Sequence, residues 1–310
     1  MWAIFLETLP FFAVIGLGYG AGRTGFFSDE ATAYLTKFVF YFALSAMLFR
    51  FSATQPLAEM FEWNFVKAYL AASTVVYIGA VIFALFRGVS VAEAAFEAQC
   101  AVIGNVGFLG IPMLALLLGP EAVASVILVL GVDLIIFGSL IVIIVTASRG
   151  GRLSPMILVT VAKGLIKNPM IVSIGLGFAW SSLSIPVPRV LDDFLLLLGA
   201  AATPGALFAI GASLASKNAE RLSVAIWLSF AKLVLHPAAV AVAALIIWPV
   251  EPYAAGVMIA SAALPVAGNV FILAQHYNVA PQRVSAAILI STAVSVITVA
   301  LVIGWVKTTL

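Results

Sequence analysis

Apolar residues fill this chain in long blocks, and short polar clusters separate the blocks. Blocks of ~20 residues are long enough to cross the ~30 Å hydrocarbon core of a bilayer as helices. Ten such blocks are predicted: 2–21, 32–50, 65–86, 93–117, 122–147, 169–185, 192–215, 222–248, 252–276 and 283–306. Residues 153–167 form an additional amphipathic piece ahead of Asn168-Pro169, with Lys163 and Lys167 on its polar side. It either lies at the membrane interface or lengthens the sixth block. The fold class read from this pattern is an all-α membrane protein with ten transmembrane helices.

Two blocks carry internal breaks. The fourth contains Gly104-Asn105-Val-Gly107-Phe108-Leu-Gly110-Ile-Pro112, and the ninth contains Leu264-Pro265-Val-Ala-Gly268-Asn269. A lipid-facing break strands backbone N–H and C=O groups in hydrocarbon, at several kcal/mol each, so such breaks survive only against protein or a water-filled cavity. Paired breaks in corresponding places of two chain halves point to a transport site.

The two halves are related. A shift of 161 residues overlays 93–136 on 254–297 without a gap and matches Ala101/Ala262, Gly107/Gly268, Pro120/Pro281 and Ile127/Ile288, among others. Gly16-Leu-Gly18-Tyr19 resembles Gly175-Leu-Gly177-Phe178, and Phe42–Leu48 resembles Phe208–Leu214. Five helices per copy is an odd number, so the second copy enters from the opposite side. The expected architecture is two inverted five-helix repeats with broken helices 4 and 9 crossing at the midplane. The first repeat is 1–147, a cytoplasmic connector is 148–168, and the second repeat is 169–310.

Composition agrees with the pattern. Hydrophobic residues are 64% and charged residues 9%, against roughly 25% charged in soluble domains. The net charge of +2 suggests no nucleic-acid partner. The single cysteine, Cys100, excludes an intrachain disulfide and a thiolate metal cluster. No signal-peptide pattern precedes the first block, which is read as a retained span. Ten spans put Arg23, Arg87, Arg149, Arg152, Lys163, Lys167, Lys217, Arg221 and Arg283 on one side, and Arg50, Lys67, Arg189 and Lys307 on the other. The richer side is cytoplasmic by the positive-inside rule, so both termini are expected outside the cytoplasm of a plasma-membrane protein. Trp2, Trp63, Trp248 and Trp305 fall near the predicted outer ends, where interfacial anchors belong.

Crossed broken helices present two half-helix N-termini, each with roughly +0.5 elementary charge and free N–H donors. A small organic anion fits there. Asn105 and Asn269 supply amides beside the breaks. Gly107, Gly110 and Gly268 allow close backbone approach, with Phe108, Pro112 and Pro265 completing the expected site. Ionisable residues at bilayer depth are candidates for coupling or charge pairing. Asp133 lies mid-way along helix 5, as a proton carrier or a structural partner. Lys232 on helix 8 is its expected cationic partner. His236 is expected to bond a carbonyl freed by Pro237, and Gln99 is expected to face the cavity. No cofactor or metal is predicted, although H+ or Na+ remain as coupling ions.

These segments resemble the auxin efflux carrier family, which includes plant auxin exporters and bacterial malonate and malate permeases. The match rests on Asn105–Pro112, on Leu264-Pro265 through Phe271–Tyr277-Asn-Val, on Lys167-Asn168-Pro169 and on Leu235-His236-Pro237. The resemblance implies a scaffold of helices 1, 2, 6 and 7, a transport part of helices 3–5 and 8–10, a crossover substrate site, elevator-type motion and a homodimer. The chain lacks the long central loop of many plant members and has Gly104 where they carry proline. An enzyme is not expected: no Gly-x-Ser-x-Gly elbow, His-Glu-x-x-His pair, P-loop or acidic magnesium cluster occurs. Nor does any segment resemble a repeated channel filter.

Overall fold

A computed structural model describes residues 2–54, 62–150, 156–216 and 222–309, with side chains placed from Leu6 onward and not for 149–150 or 156–158. Arg152, Lys217 and Arg221, counted in the charge asymmetry, lie outside the described residues, as do the side chains of Trp2 and Arg149. The described chain is helical throughout, and its one isolated β-bridge joins Gly104 to Val266.

The helices follow the apolar blocks closely. α1 is Trp2–Arg23. α2 (Asp29–Phe38) continues through a π-helical turn, Val39–Ala43, into α3 (Leu44–Ala53). α4 is Trp63–Phe86, and α5 is Val91–Val102, opened by a capping box between Ser90 and Glu93. After the first break come a π turn, Val106–Gly110, and α6 (Ile111–Leu118). α7 (Ala122–Val132) runs through a π turn, Asp133–Phe137, into α8 (Gly138–Gly150). The second half has α9 (Met156–Lys167), α10 (Pro169–Ser182), α11 (Arg189–Ala200) and α12 (Ala202–Ala215). Next come α13 (Leu222–Phe230), a π turn (Ala231–Leu235), α14 (His236–Val242) and a further π turn (Ala243–Ile247). α15 (Pro252–Ala262), α16 (Gly268–His276) and α17 (Pro281–Thr309) complete the chain.

Among the described residues, six helical stretches are long and apolar enough to cross a membrane, and α9 with α10 makes a seventh bent by 73°. Of the other three expected spans, 2–21 is the 22-residue α1, and 93–117 and 252–276 are each interrupted into two short helices. The described part of 153–167, Met156–Lys167, is a helix set at 73° to α10. Asn168 stops it and restarts the chain, its side chain accepting from the N–H of Met170 at 3.0 Å. Lys163 and Lys167 are exposed on α9.

Large apolar side chains such as Leu17, Val75, Leu197 and Ile246 are exposed on the outside, the surface a multi-pass membrane protein turns to lipid. Inside, small residues set the packing. α1 lies against α12 so closely that a Cβ on Gly18 would strike the Phe208 carbonyl, and one on Gly211 the Ile15 carbonyl. α10 lies against α3 in the same way, where a Cβ on Gly177 would stand 2.7 Å from the Phe49 carbonyl oxygen. Close backbone approach through small residues is how helices associate without a hydrophobic drive between them. The buried core runs along the interrupted segments, through Val102, Val106, Ile111, Val257, Leu264 and Val266.

Candidate functional site

The two breaks satisfy each other. Helix α5 stops at Val102 and α15 at Ala262, and the extended residues beyond them pair antiparallel. Asn105 N–H donates to the Pro265 carbonyl at 2.8 Å, and Ala267 N–H donates to the Ile103 carbonyl at 3.0 Å. Val266 N–H is taken by the Ser291 hydroxyl of α17 at 3.1 Å, and Pro265 has no N–H to satisfy. Buried backbone groups of an interrupted helix must find partners, and here two of those bonds come from the other interruption, the rest from neighbouring turns and from Ser291 and Lys232. The pairing sets Gly104 opposite Val266, one position from the sequence overlay, which placed Gly104 on Pro265.

Beyond the pairing, both chains turn back into helix. The Asn105 carbonyl accepts from Leu109 at 3.1 Å and from Gly110 at 2.9 Å. Neither restart, at Val106 or at Gly268, has a side-chain cap, and within the first turns Val106 N–H goes to the Gly104 carbonyl and Val270 N–H to the Ala267 carbonyl. The predicted residues surround these two starts unequally. Gly268 is exposed, and a Cβ there would meet nothing within 4 Å. Asn269 beside it is half-buried and holds a buried Oδ1 without a hydrogen-bond partner. Asn105 is 6% exposed.

Gly107 is closed, contrary to expectation. A Cβ on it would stand 2.6 Å from the Met170 methyl of α10, and one on Gly110 2.6 Å from the Leu264 side chain. The space beside those two glycines is filled by the ends of the Met170 and Leu264 side chains. Phe108 stacks on Phe40 with ring centroids 6.1 Å apart and planes 10° apart. Pro112 sits in the first turn of α6, where it lacks no needed N–H.

The ionisable residues form a buried network with a different wiring from the one expected. Asp133 and Lys232 make no ion pair within 4.0 Å. Tyr69 Oη donates to Asp133 Oδ1 at 2.9 Å, and Oδ2 has no partner. Lys232, fully buried, donates instead to the carbonyl of Ala262 and lies 3.2 Å from His236 Nδ1. His236 does not bond a carbonyl freed by Pro237; its Nε2 lies 2.9 Å from Ser73 Oγ. The reason is placement: the π turn Ala231–Leu235 aims Lys232 at the end of α15, and α4 fills the space toward Asp133 with Tyr69. Gln99, buried, donates at 2.7 Å to the Phe137 carbonyl at the close of a π turn. Tyr69, Ser73 and Ser291 were not expected. Tyr69, Ser73 and Tyr77 repeat every four residues in an otherwise apolar span, and that stripe marks one helix face.

Below the break, Glu97 is buried between Arg87 and Arg283, with Arg283 Nη1 at 2.6 Å from its Oε1 and Glu93 joining at 3.3 Å. Arg87 and Arg283, both counted on the cytoplasmic side, thus meet buried or half-buried carboxylates, and Arg50, Arg189 and Lys307 on the other side meet carboxylates as well. Among the described residues, no three His, Cys, Asp or Glu side chains cluster as a metal site.

A family model described as membrane transport protein matches residues 3–303. The chain belongs to this family. The likeness of Asn105–Pro112 and Leu264–Tyr277 to auxin efflux carriers is thereby upheld. Similar proteins are transporters by name. One, of Rhizobium meliloti (strain 1021), is named as a candidate malonate transporter and is 33% identical over 296 residues, covering 94% of this chain and 92% of its own. The uncharacterized transporter YfdV of Escherichia coli K12 is 27% identical over 301 residues, 94% of each chain, and its Shigella flexneri counterpart matches equally. Membership makes the chain a membrane transporter, and these names point away from an enzyme.

Proposed function

We propose that this membrane transporter is a secondary-active carrier of small organic anions, with a carboxylate bound where the two interrupted helices meet. The observation that carries the reading is the antiparallel pair of bonds, Asn105 to Pro265 and Ala267 to Ile103. It brings two uncapped helix starts together inside protein, beside an open Gly268 and the unpartnered Asn269 amide. Rotation of that amide by 180° offers an anion its NH2 group. The Rhizobium relative's name makes malonate the first acid to try.

Ten spans in two inverted repeats suit four long-range bonds. Glu7 with Lys307 joins the start of α1 to the end of α17, and Arg50 with Asp192 joins the end of α3 to the start of α11. Tyr253 with the Leu118 carbonyl joins the start of α15 to the end of α6, and Glu97 with Arg283 joins α5 to the start of α17. Each links ends that ten crossings place on one side. The reading puts both termini outside the cytoplasm of the plasma membrane. The glycine-packed pairs α1–α12 and α10–α3 suit a scaffold of helices 1, 2, 6 and 7. The remainder then moves against it as an elevator across the Phe40–Phe108 and Met170–Gly107 contacts. A homodimer completes the reading by family likeness.

A thermal-shift screen of purified full-length protein against mono- and dicarboxylates, malonate included, tests the site. A ligand at a hundred times its Kd is expected to raise the melting temperature by about 5–10 °C. No response across the panel would remove the anion reading. Asp133, with one oxygen unpartnered, is the proposed proton carrier. Asp133→Asn keeps an acceptor for Tyr69, so ligand-induced stabilisation should persist while uptake loses its pH dependence. Retention of the wild-type pH profile would exclude Asp133 from that role.

A further inference from the structure

The break in the ninth span has a negative end as well as a positive one. α15 finishes at Ala262, and the last carbonyls of a helix lack intrahelical partners and carry its negative dipole end. α5 finishes at Val102 directly alongside. In carriers built on interrupted helices such ends coordinate the free cation that drives transport. Here a side chain stands in that place. Lys232 is fully buried and donates to the Ala262 carbonyl. Its Nζ stands 3.3 Å from where a Cβ on Gly104 would be, so it reaches the pairing itself. The buried carboxylate of Asp133, hydrogen-bonded by Tyr69, acts on the ammonium electrostatically from beyond ion-pair distance. At contact the ammonium is opposed by backbone carbonyl and helix end, and His236, backed by Ser73, completes its surroundings.

We propose that Lys232 is a tethered cation, occupying the position a coupling ion would take at the end of α15 and making this carrier independent of sodium. The inference rests on the carrier reading, and it also narrows it: the chain supplies its own positive charge to the crossover, and the anion enters a site already neutralised at its negative end. Gly104 follows from the same geometry, because a Cβ there would crowd both the ammonium and the Ser261 carbonyl at 3.3 Å.

The test is thermal unfolding of the full-length protein in matched concentrations of sodium, methylammonium and choline chlorides. Wild type should unfold at the same temperature in all three. Lys232→Ala should unfold earlier and recover by about 2 °C or more, saturably, in methylammonium. Choline has no N–H to give the Ala262 carbonyl and should not restore it. Lys232→Met, which fills the space with an apolar chain, should show no recovery. A folded Lys232→Ala protein that ignores methylammonium overturns the proposal. So does a wild type stabilised by sodium over choline, and that comparison stands even if the alanine variant does not fold. Sodium-dependent uptake of radiolabelled malonate by wild type would overturn the tethered cation and leave the carrier intact. Cation recovery without uptake of any acid would do the reverse.

Discussion

Replacing Glu97 with alanine is expected to destabilise the folded protein by about 3–5 kcal/mol, the usual penalty for leaving buried charge without its partner. Arg283 is 7% exposed and lies in the first turn of α17, where a cation meets the positive end of the helix dipole. Its buried charge is tolerable because Glu97 and Glu93 answer it. Removing Glu97 also frees Arg87. Thermal unfolding of purified protein measures the loss. The double substitution Glu97→Leu with Arg283→Leu should recover much of it, since apolar pairs commonly replace buried ion pairs at little cost. An unchanged melting temperature in Glu97→Ala would mean the cluster is hydrated and of no structural consequence. The effect reaches the site because α5 leads straight into the first break, with Gln99 pinning its other side to Phe137.

Asn105→Ala is expected to weaken carboxylate binding by roughly 10- to 150-fold while the protein stays folded. The backbone of Asn105 is held by its own N–H on Pro265 and its carbonyl on Leu109 and Gly110, so truncation leaves the break in place. What goes is an amide beside an uncapped helix start, and a hydrogen bond to a charged group contributes about 1.5–3 kcal/mol. Titration calorimetry with the acid that stabilises wild type gives the ratio of dissociation constants. Equal constants in a variant with wild-type thermal stability would place the anion elsewhere.

The sequence showed these two segments because their chemistry conflicts with their surroundings. Glycine, asparagine and proline within a block of membrane length leave backbone groups that lipid cannot satisfy. The alternatives are few, and pairing with another such segment is one of them. The predicted helix boundaries also held closely, from Trp63–Phe86 to Pro281–Thr309, since hydrocarbon thickness and terminal polar clusters are both local properties. The wiring of the buried charges was not visible in the same way. Lys232 has three donors on a flexible stem, and its choice between Asp133 and a carbonyl depends on rotations that no spacing encodes. The loop-charge count likewise carried no information on the carboxylates that Arg87 and Arg283 meet.

By itself, then, the amino-acid order determined that this is a many-helix membrane protein with two interrupted apolar segments, because solvent incompatibility acts residue by residue. Tertiary structure alone decided which glycines are open. Gly268 faces free space, and Gly107 is covered by a methionine from α10, sixty residues away in the chain. It also decided that the buried lysine touches a helix end and meets the Asp133 carboxylate only at longer range. Contacts of that kind depend on how separate helices pack, and a one-dimensional pattern carries no record of the space between them.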